Sequence, residues 1–283
     1  MEIFNFSAAE TGLLNKALTF INRKEVDFDP ISTNLLIVKT ENFFDECEQL
    51  APYYSNLGLE NAHARLVFNP VKGGTHKILI NKEGVTGLSY IYTVVTQMVH
   101  LANLAQYNAE FGNVYRFTQE QAIANSYYEF LLWAKFQAMK MGTRAHALMS
   151  WHAANGEESP EGGCYQFARI NFHGKAVEDA LQPLLAAGTI AVWREGFWDL
   201  LEELTLYFGR LAFYQQTPQP HELDEAFPAA ALGRTIGLEN CLVFYAVLQQ
   251  IRDYAGFQQQ KANIRRAIVA MEEHGKALFA PGA

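Results

Sequence analysis

The stretch from Leu88 to Phe111, LSYIYTVVTQMVHLANLAQYNAEF, constrains this chain more than any other. Ile91, Val94, Val95, Met98, Leu101, Ala102 and Ala105 recur at helical spacing and form one continuous apolar stripe. Thr93, Thr96, Gln97, His100, Asn103 and Tyr107 fall on the opposite side. That second face is too apolar at its ends to be fully wet and too orderly in its polar centre to be plain core. The spacing predicts one long helix with a core to satisfy on one side and a polar purpose on the other.

Around it the chain alternates signals. Ser7 and Glu10 form a capping box ahead of Leu13, Leu14, Ala17, Leu18 and Ile21, predicting a first helix. Leu35–Lys39 is an apolar run of strand length, and a helix is expected from about Glu41 to Pro52. Ala64–Asn69 and His76–Asn81 are strand-like and flank PVKGGT, so Gly73-Gly74 predicts a hairpin. Thr118 and Gln121 form a second capping box, opening a helix that is apolar on most of its circumference, with Gly142 as the expected stop. After Arg144 the pattern turns mainly helical. Glu157–Gly163 is the expected loop, then helices over 177–187 (interrupted by Pro183), 189–216 (stopped by Pro218 and Pro220), 238–258 and 262–278. The aromatic residues from Trp193 to Phe213 are expected to be core. The expectation is an α+β protein, with a small mixed sheet and long helices in 1–156 and a helical region in 157–283.

Composition excludes several classes. A chain that is 49% hydrophobic and 18% charged is globular rather than disordered. A net charge of −8 would repel a phosphate backbone, so no nucleic-acid partner is expected, and Arg23-Lys24 and Arg265-Arg266 read as solvated helix faces. No apolar run approaches ~20 residues, so no membrane span is expected, and the N-terminus does not read as a signal peptide. A cytoplasmic protein is the expectation. Cys47, Cys164 and Cys241 are widely spaced with no CxxC, which fits reduced thiols.

TQMVH, Thr96–His100, resembles the HExxH motif of the zincin metallopeptidases with its first two chemical residues replaced. The preceding hairpin and the later WAKFQA, Trp133–Ala138, which resembles a W-x-E-F-x-A segment of some zincin-like families, extend the resemblance over roughly residues 35 to 140. It implies a zincin-like N-terminal region: a mixed sheet whose edge strand borders a peptide-binding cleft, faced by the C-terminal region. HExxH works because residues four apart share a helix face, so two imidazoles hold one zinc while the glutamate activates its water. Here those positions are Thr96, Gln97 and His100. The third-ligand position falls on Lys135 or, in a competing alignment, on Glu129 of YYEF.

Threonine is a poor zinc ligand and glutamine is not basic enough to take a proton. An ammonium ~4 Å from a dication would cost on the order of 8 kcal/mol at an effective dielectric near 20. The leading expectation is therefore a catalytically inactive metallopeptidase-like protein, without a cofactor, that binds a peptide or protein or acts as a regulator. In this reading Lys135 replaces the metal and donates to Thr96 Oγ1, Gln97 Oε1 and Glu129. One alternative is a metal-dependent hydrolase using zinc on His100, Glu129 and C-terminal ligands; another is a helical scaffold unrelated to peptidases. Cys164 with His173, His146 with His152, and Asp199 with Glu202 and Glu203 offer no comparable pattern.

Overall fold

A computed structural model describes residues 1–21, 25–50, 63–156, 171–216, 223 and 225–279, the side chains of 171–173 excepted. Arg23-Lys24, Pro52, Cys164, the side chain of His173, the expected loop at 157–163, Pro218 and Pro220 lie outside the described residues. The chain divides into two compact units, Met1–Gly162 and Gly163–Ala283.

The first unit runs β1 (Glu2–Phe4), α1 (Ala8–Thr19), α2 (Asp29–Ser32), β2 (Leu35–Thr40), α3 (Phe43–Leu50), β3 (Ala64–Val67), β4 (His76–Asn81), α4 (Ser89–Phe111), a 3-10 turn (Val114–Arg116), α5 (Gln119–Ala124) and α6 (Tyr127–Asn155). Its four-stranded sheet has the order β1-β2-β4-β3. β1, β2 and β4 are parallel, and β3 is an antiparallel edge strand. In that register Ile37 pairs with Ile78 and Ile78 with Leu66, so three buried aliphatic residues meet across the sheet. The expected hairpin is present as β3–β4. β1 escaped the sequence reading because three residues are too short to show alternation.

Both capping boxes form. Ser7 Oγ accepts from Glu10 N while Glu10 Oε2 accepts from Ser7 N. Thr118 and Gln121 make the same reciprocal pair, but that box opens only the short α5. The chain breaks at Ser126, at φ 59°, and restarts as α6. α6 runs through Gly142, the expected stop, to Gly156, which caps it at φ 68°.

The second unit contains α7 (Asn171–Leu185), α8 (Ile190–Gln215), α9 (Ala229–Thr235), α10 (Leu238–Gln250) and α11 (Tyr254–Ala277). Pro183 sits inside α7 rather than ending it. Thr189 caps α8 by accepting from Val192 N, and Trp193, Phe197, Leu200, Leu204, Tyr207 and Phe208 form a buried core face along it. Asp199, Glu202 and Glu203 border an open groove of about 510 Å³ floored by Ala176 and Ala180. Among the described residues no single helix is long and apolar enough to cross a membrane; α9 and α10 pass that test only together, bent by 102°.

The sequence reading carried the α10 pattern on to Gln258. The structure stops it at Gln250, because Asp253 turns its carboxylate back to accept from Gly256 N at 2.8 Å and starts α11 there. Asp253→Ala is expected to cost about 1 kcal/mol, largely recovered by Asp253→Ser, in denaturant unfolding monitored by circular dichroism.

Candidate functional site

α4 is buried on both faces. Its apolar stripe leaves only Ala105 half-exposed, and α4 packs on β3 and β4. The opposite, polar face is equally hidden: Thr93, Thr96, Gln97, His100, Asn103 and Tyr107 are all buried. What covers it is α6, running antiparallel. Tyr92 Oη donates to Met139 Sδ, Asn103 Nδ2 donates to Gln137 Oε1 at 2.6 Å, and the Tyr107 ring stacks on Phe130 with centroids 4.2 Å apart. Low numbers on α4 thus meet high numbers on α6.

The sequence of α6 explains how the two helices come so close. Ala134, Ala138 and Gly142 recur every four residues, share one helix face and are buried. A Cβ at position 142 would lie 2.3 Å from Thr96 Oγ1 and 3.2 Å from the Tyr92 carbonyl oxygen. Only a hydrogen fits there. Gly142 is a close-approach residue, which is why it interrupts nothing: as a helix stop it would need a left-handed conformation, whereas here it lies within α6.

Lys135 and Gln137 flank this strip on opposite sides, as the helical period requires. Gln137 takes the bond from Asn103 and passes its own Nε2–H to the Glu25 carbonyl at 3.1 Å. Lys140 pairs with Glu25 Oε2 at 2.8 Å with both side chains mostly buried, and Arg144 Nε donates to the Phe20 carbonyl. These contacts fasten the segment after α1 onto α6. None was singled out from the sequence, although Gln137, Lys140 and Arg144 at successive turns of an apolar helix were a visible polar stripe.

Of the five residues expected to form the site, four lie in the seam around His100. His100 is 3% exposed, and its Nδ1 is buried without a hydrogen-bond partner. Burial, seconded by the positive charge of Lys135, lowers its pKa from the ordinary histidine value to about 3. Lys135, 6% exposed, therefore turns inward and acts on His100. Thr96 Oγ1 and Gln97 Oε1 are not its hydrogen-bond acceptors, which corrects that part of the expected arrangement. Thr96 instead meets Gly142. Glu129 is buried too, but its charge acts on Tyr107, seven residues beyond His100 and so about 10 Å further along α4. Burial first, and that charge after Tyr127, hold the Tyr107 proton well above the usual tyrosine range, and its hydroxyl donates to the Asn125 carbonyl.

This donor set does not fit a zinc ion. The first ligand position carries a hydroxyl pressed against a helix backbone, the charge of Glu129 is felt at Tyr107 and not at His100, and the charge that acts on His100 is a cation. Among the described residues no group of three or more His, Cys, Asp or Glu side chains converges on a metal-binding point. A histidine titrating near 3 is also too weak a base to take a proton at neutral pH. No family model matches the chain, and comparisons with curated proteins and with solved structures give no significant match.

Two measurements probe the seam. Gly142→Ala gains up to about 1 kcal/mol of helix propensity but forces the helices apart, for an expected net loss of about 1–3 kcal/mol. In a double-mutant cycle Thr96→Ala should remove much of that loss, since it deletes the nearest atom. The second is pH. His100 has a lower pKa folded than unfolded, so the unfolded chain binds one more proton between about 6.5 and 3. Its neutral burial is fully stabilising above 6.5, and stability falls by about 1.4 kcal/mol per pH unit below that. Relative to His100→Gln, the natural protein should lose on the order of 2–3 kcal/mol between pH 7.5 and 4.5 in urea unfolding. His76 and His146, whose burial also lowers their pKa, are common to both proteins and cancel in the difference.

Proposed function

We propose that the first unit is a zincin-like framework whose catalytic centre has been closed and whose metal has been replaced by an internal cation. The chain then serves as a non-catalytic binding or regulatory protein with a peptide or protein partner. The observation that carries this reading is the inward-turned, buried Lys135 acting on His100. In a zinc peptidase the same helix face would present its histidine to a dication. Two features of the fold support it: a mixed sheet ending in an antiparallel edge strand, and a long helix following β4, as the zincin resemblance implies. The edge strand offers main-chain groups to an extended peptide.

The tight seat of Thr96 on Gly142 favours a second reading, a helical scaffold unrelated to peptidases, because such closure needs no ancestral site to explain it. The metal-dependent hydrolase gains nothing from Glu129, whose charge is felt at Tyr107.

The purified protein, dialysed against zinc, is expected to retain well below one equivalent by elemental analysis and to bind members of a peptide library without cleaving them. Stoichiometric zinc, removed by a chelator together with hydrolysis, would refute the inactive assignment. A library that yields no binder removes the peptide-binding role. Lys135→Met tests the internal cation directly: with the ammonium gone, His100 should titrate at a higher pH in histidine-resolved NMR. An unchanged titration means that Lys135 does not stand in for a metal.

A further inference from the structure

The turn between β3 and β4 is fastened to a histidine. His76, the first residue of β4, is 9% exposed, and its Nδ1 accepts from the Asn69 N–H at 3.1 Å. A backbone N–H donates and never accepts, so this bond holds the ring as the neutral Nε2–H tautomer. The imidazole lies flat on Phe68, with centroids 5.2 Å apart and planes 8° from parallel. Asn69 then organises the rest of the turn. Its Oδ1 accepts from Val71 N at 3.0 Å, and its side chain fills the space that a Cβ at position 74 would need, 2.5 Å from Asn69 Cγ. From outside the turn, Asn108 of α4 donates to the Pro70 carbonyl and Tyr115 to the Phe68 carbonyl.

We propose that His76 is an acid-sensitive latch: neutral, it holds the turn of residues 69–75 closed, and protonated, it lets that turn open while the strands stay paired. Protonation puts a hydrogen on Nδ1, so that two donors confront each other with no acceptor between them. The other contacts of His76 survive the change. Its own N–H still donates to the Asn34 carbonyl at 2.8 Å, and an imidazolium over the Phe68 ring is attracted to it. The turn is what loses its partner. The latch is independent of the peptide-binding role proposed for the edge strand.

Burial pulls the pKa of His76 below the ordinary histidine value of 6.5. The charged and titratable groups on the elements around β4 are engaged elsewhere or face water. Lys39 of β2 pairs with Glu10, and Lys77 with Glu46 of α3. Arg65 of β3 lies opposite Leu79, three positions along β4 from His76. Cys47 of α3 is half-buried, while Asp45 and Glu48 of α3, Glu110 of α4, His63, Lys72 of the turn and Arg116 are exposed. His100 and Tyr107 belong to the face of α4 that meets α6. The sign follows from burial. The closed turn favours the neutral ring, so it is fully held above pH 6.5, and each unit below that favours opening by up to tenfold until the lowered pKa is passed.

Nitrogen-resolved NMR of the full chain, titrated from about pH 7.5 to about 5, reads both halves of the latch. At the upper end His76 should show an unprotonated Nδ1, and its midpoint should fall below 6.5. The Asn69, Val71 and Gly74 amides should shift with that same midpoint, and hydrogen-exchange protection of the Asn69 amide should drop by up to tenfold per pH unit. His76→Gln, whose amide oxygen accepts without titrating, should make these amides indifferent to pH. Gly74→Ala, in a partly exposed turn, presses on Asn69 and loosens the closed form. Because coupling is reciprocal, it should move the His76 midpoint up towards 6.5. A His76 midpoint at or above 6.5 overturns the proposal. So does an Asn69 amide that does not follow it, or a midpoint that Gly74→Ala leaves in place.

Discussion

The contact between Thr96 and Gly142 sets the geometry of the first unit. Because position 142 has no side chain, α6 can lie directly on the polar face of α4 and seal it from water. Everything that distinguishes the seam follows from that closeness. His100 is neutral because it is dry, and Asn103 must find Gln137 because no solvent can serve it. The Thr96 hydroxyl oxygen is buried without a hydrogen-bond partner, seated where a Cβ of residue 142 would otherwise lie. Polar groups in such an interface are costly unless matched, and for that reason they specify one register of the two helices over its neighbours.

The charges obey the same logic. Lys140 lies deep in the first unit but carries Glu25 with it, and Lys39 lies beside Glu10 at 2.6 Å with the Phe6 ring 4.8 Å from its ammonium. A buried pair of this kind gains little net stability over an apolar pair, whereas removing one partner strands the other. Lys140–Glu25 therefore acts chiefly as a clamp, fixing where the chain leaving α1 crosses α6. Lys135 does something else. Its ammonium disfavours a protonated imidazole and so, after burial, helps to keep His100 neutral.

Much of the fold was legible because its signals are local. The two capping boxes, the Gly73-Gly74 hairpin and the two-faced period of α4 each act within a few residues, and each formed where the spacing put it. The errors have a common cause, which is that a residue's local meaning was overridden by a distant neighbour. Gly142 reads as a helix terminator in isolation, yet its function is set by Tyr92 and Thr96, some 46 to 50 positions away. Asp253 was hidden inside a continuous apolar period, which does not register a cap between two helices. At the site, the sequence assigned Lys135 the Thr96 hydroxyl as an acceptor, whereas the close approach of the helices seats that hydroxyl against Gly142.

The polar face of α4 first suggested an active-site helix, and the structure buries that face. A polar helix face can be satisfied by water, by a ligand, or by a second helix bearing complementary groups, and sequence periodicity cannot tell these apart. What separates them is the partner surface. Ala134, Ala138 and Gly142 give α6 a flat strip at the spacing needed for close contact, with long polar side chains only along its edges. A helix built to line a cleft would hold its neighbour away with bulk at those positions. The small residues of α6, more than any residue of α4, are therefore what closes the seam.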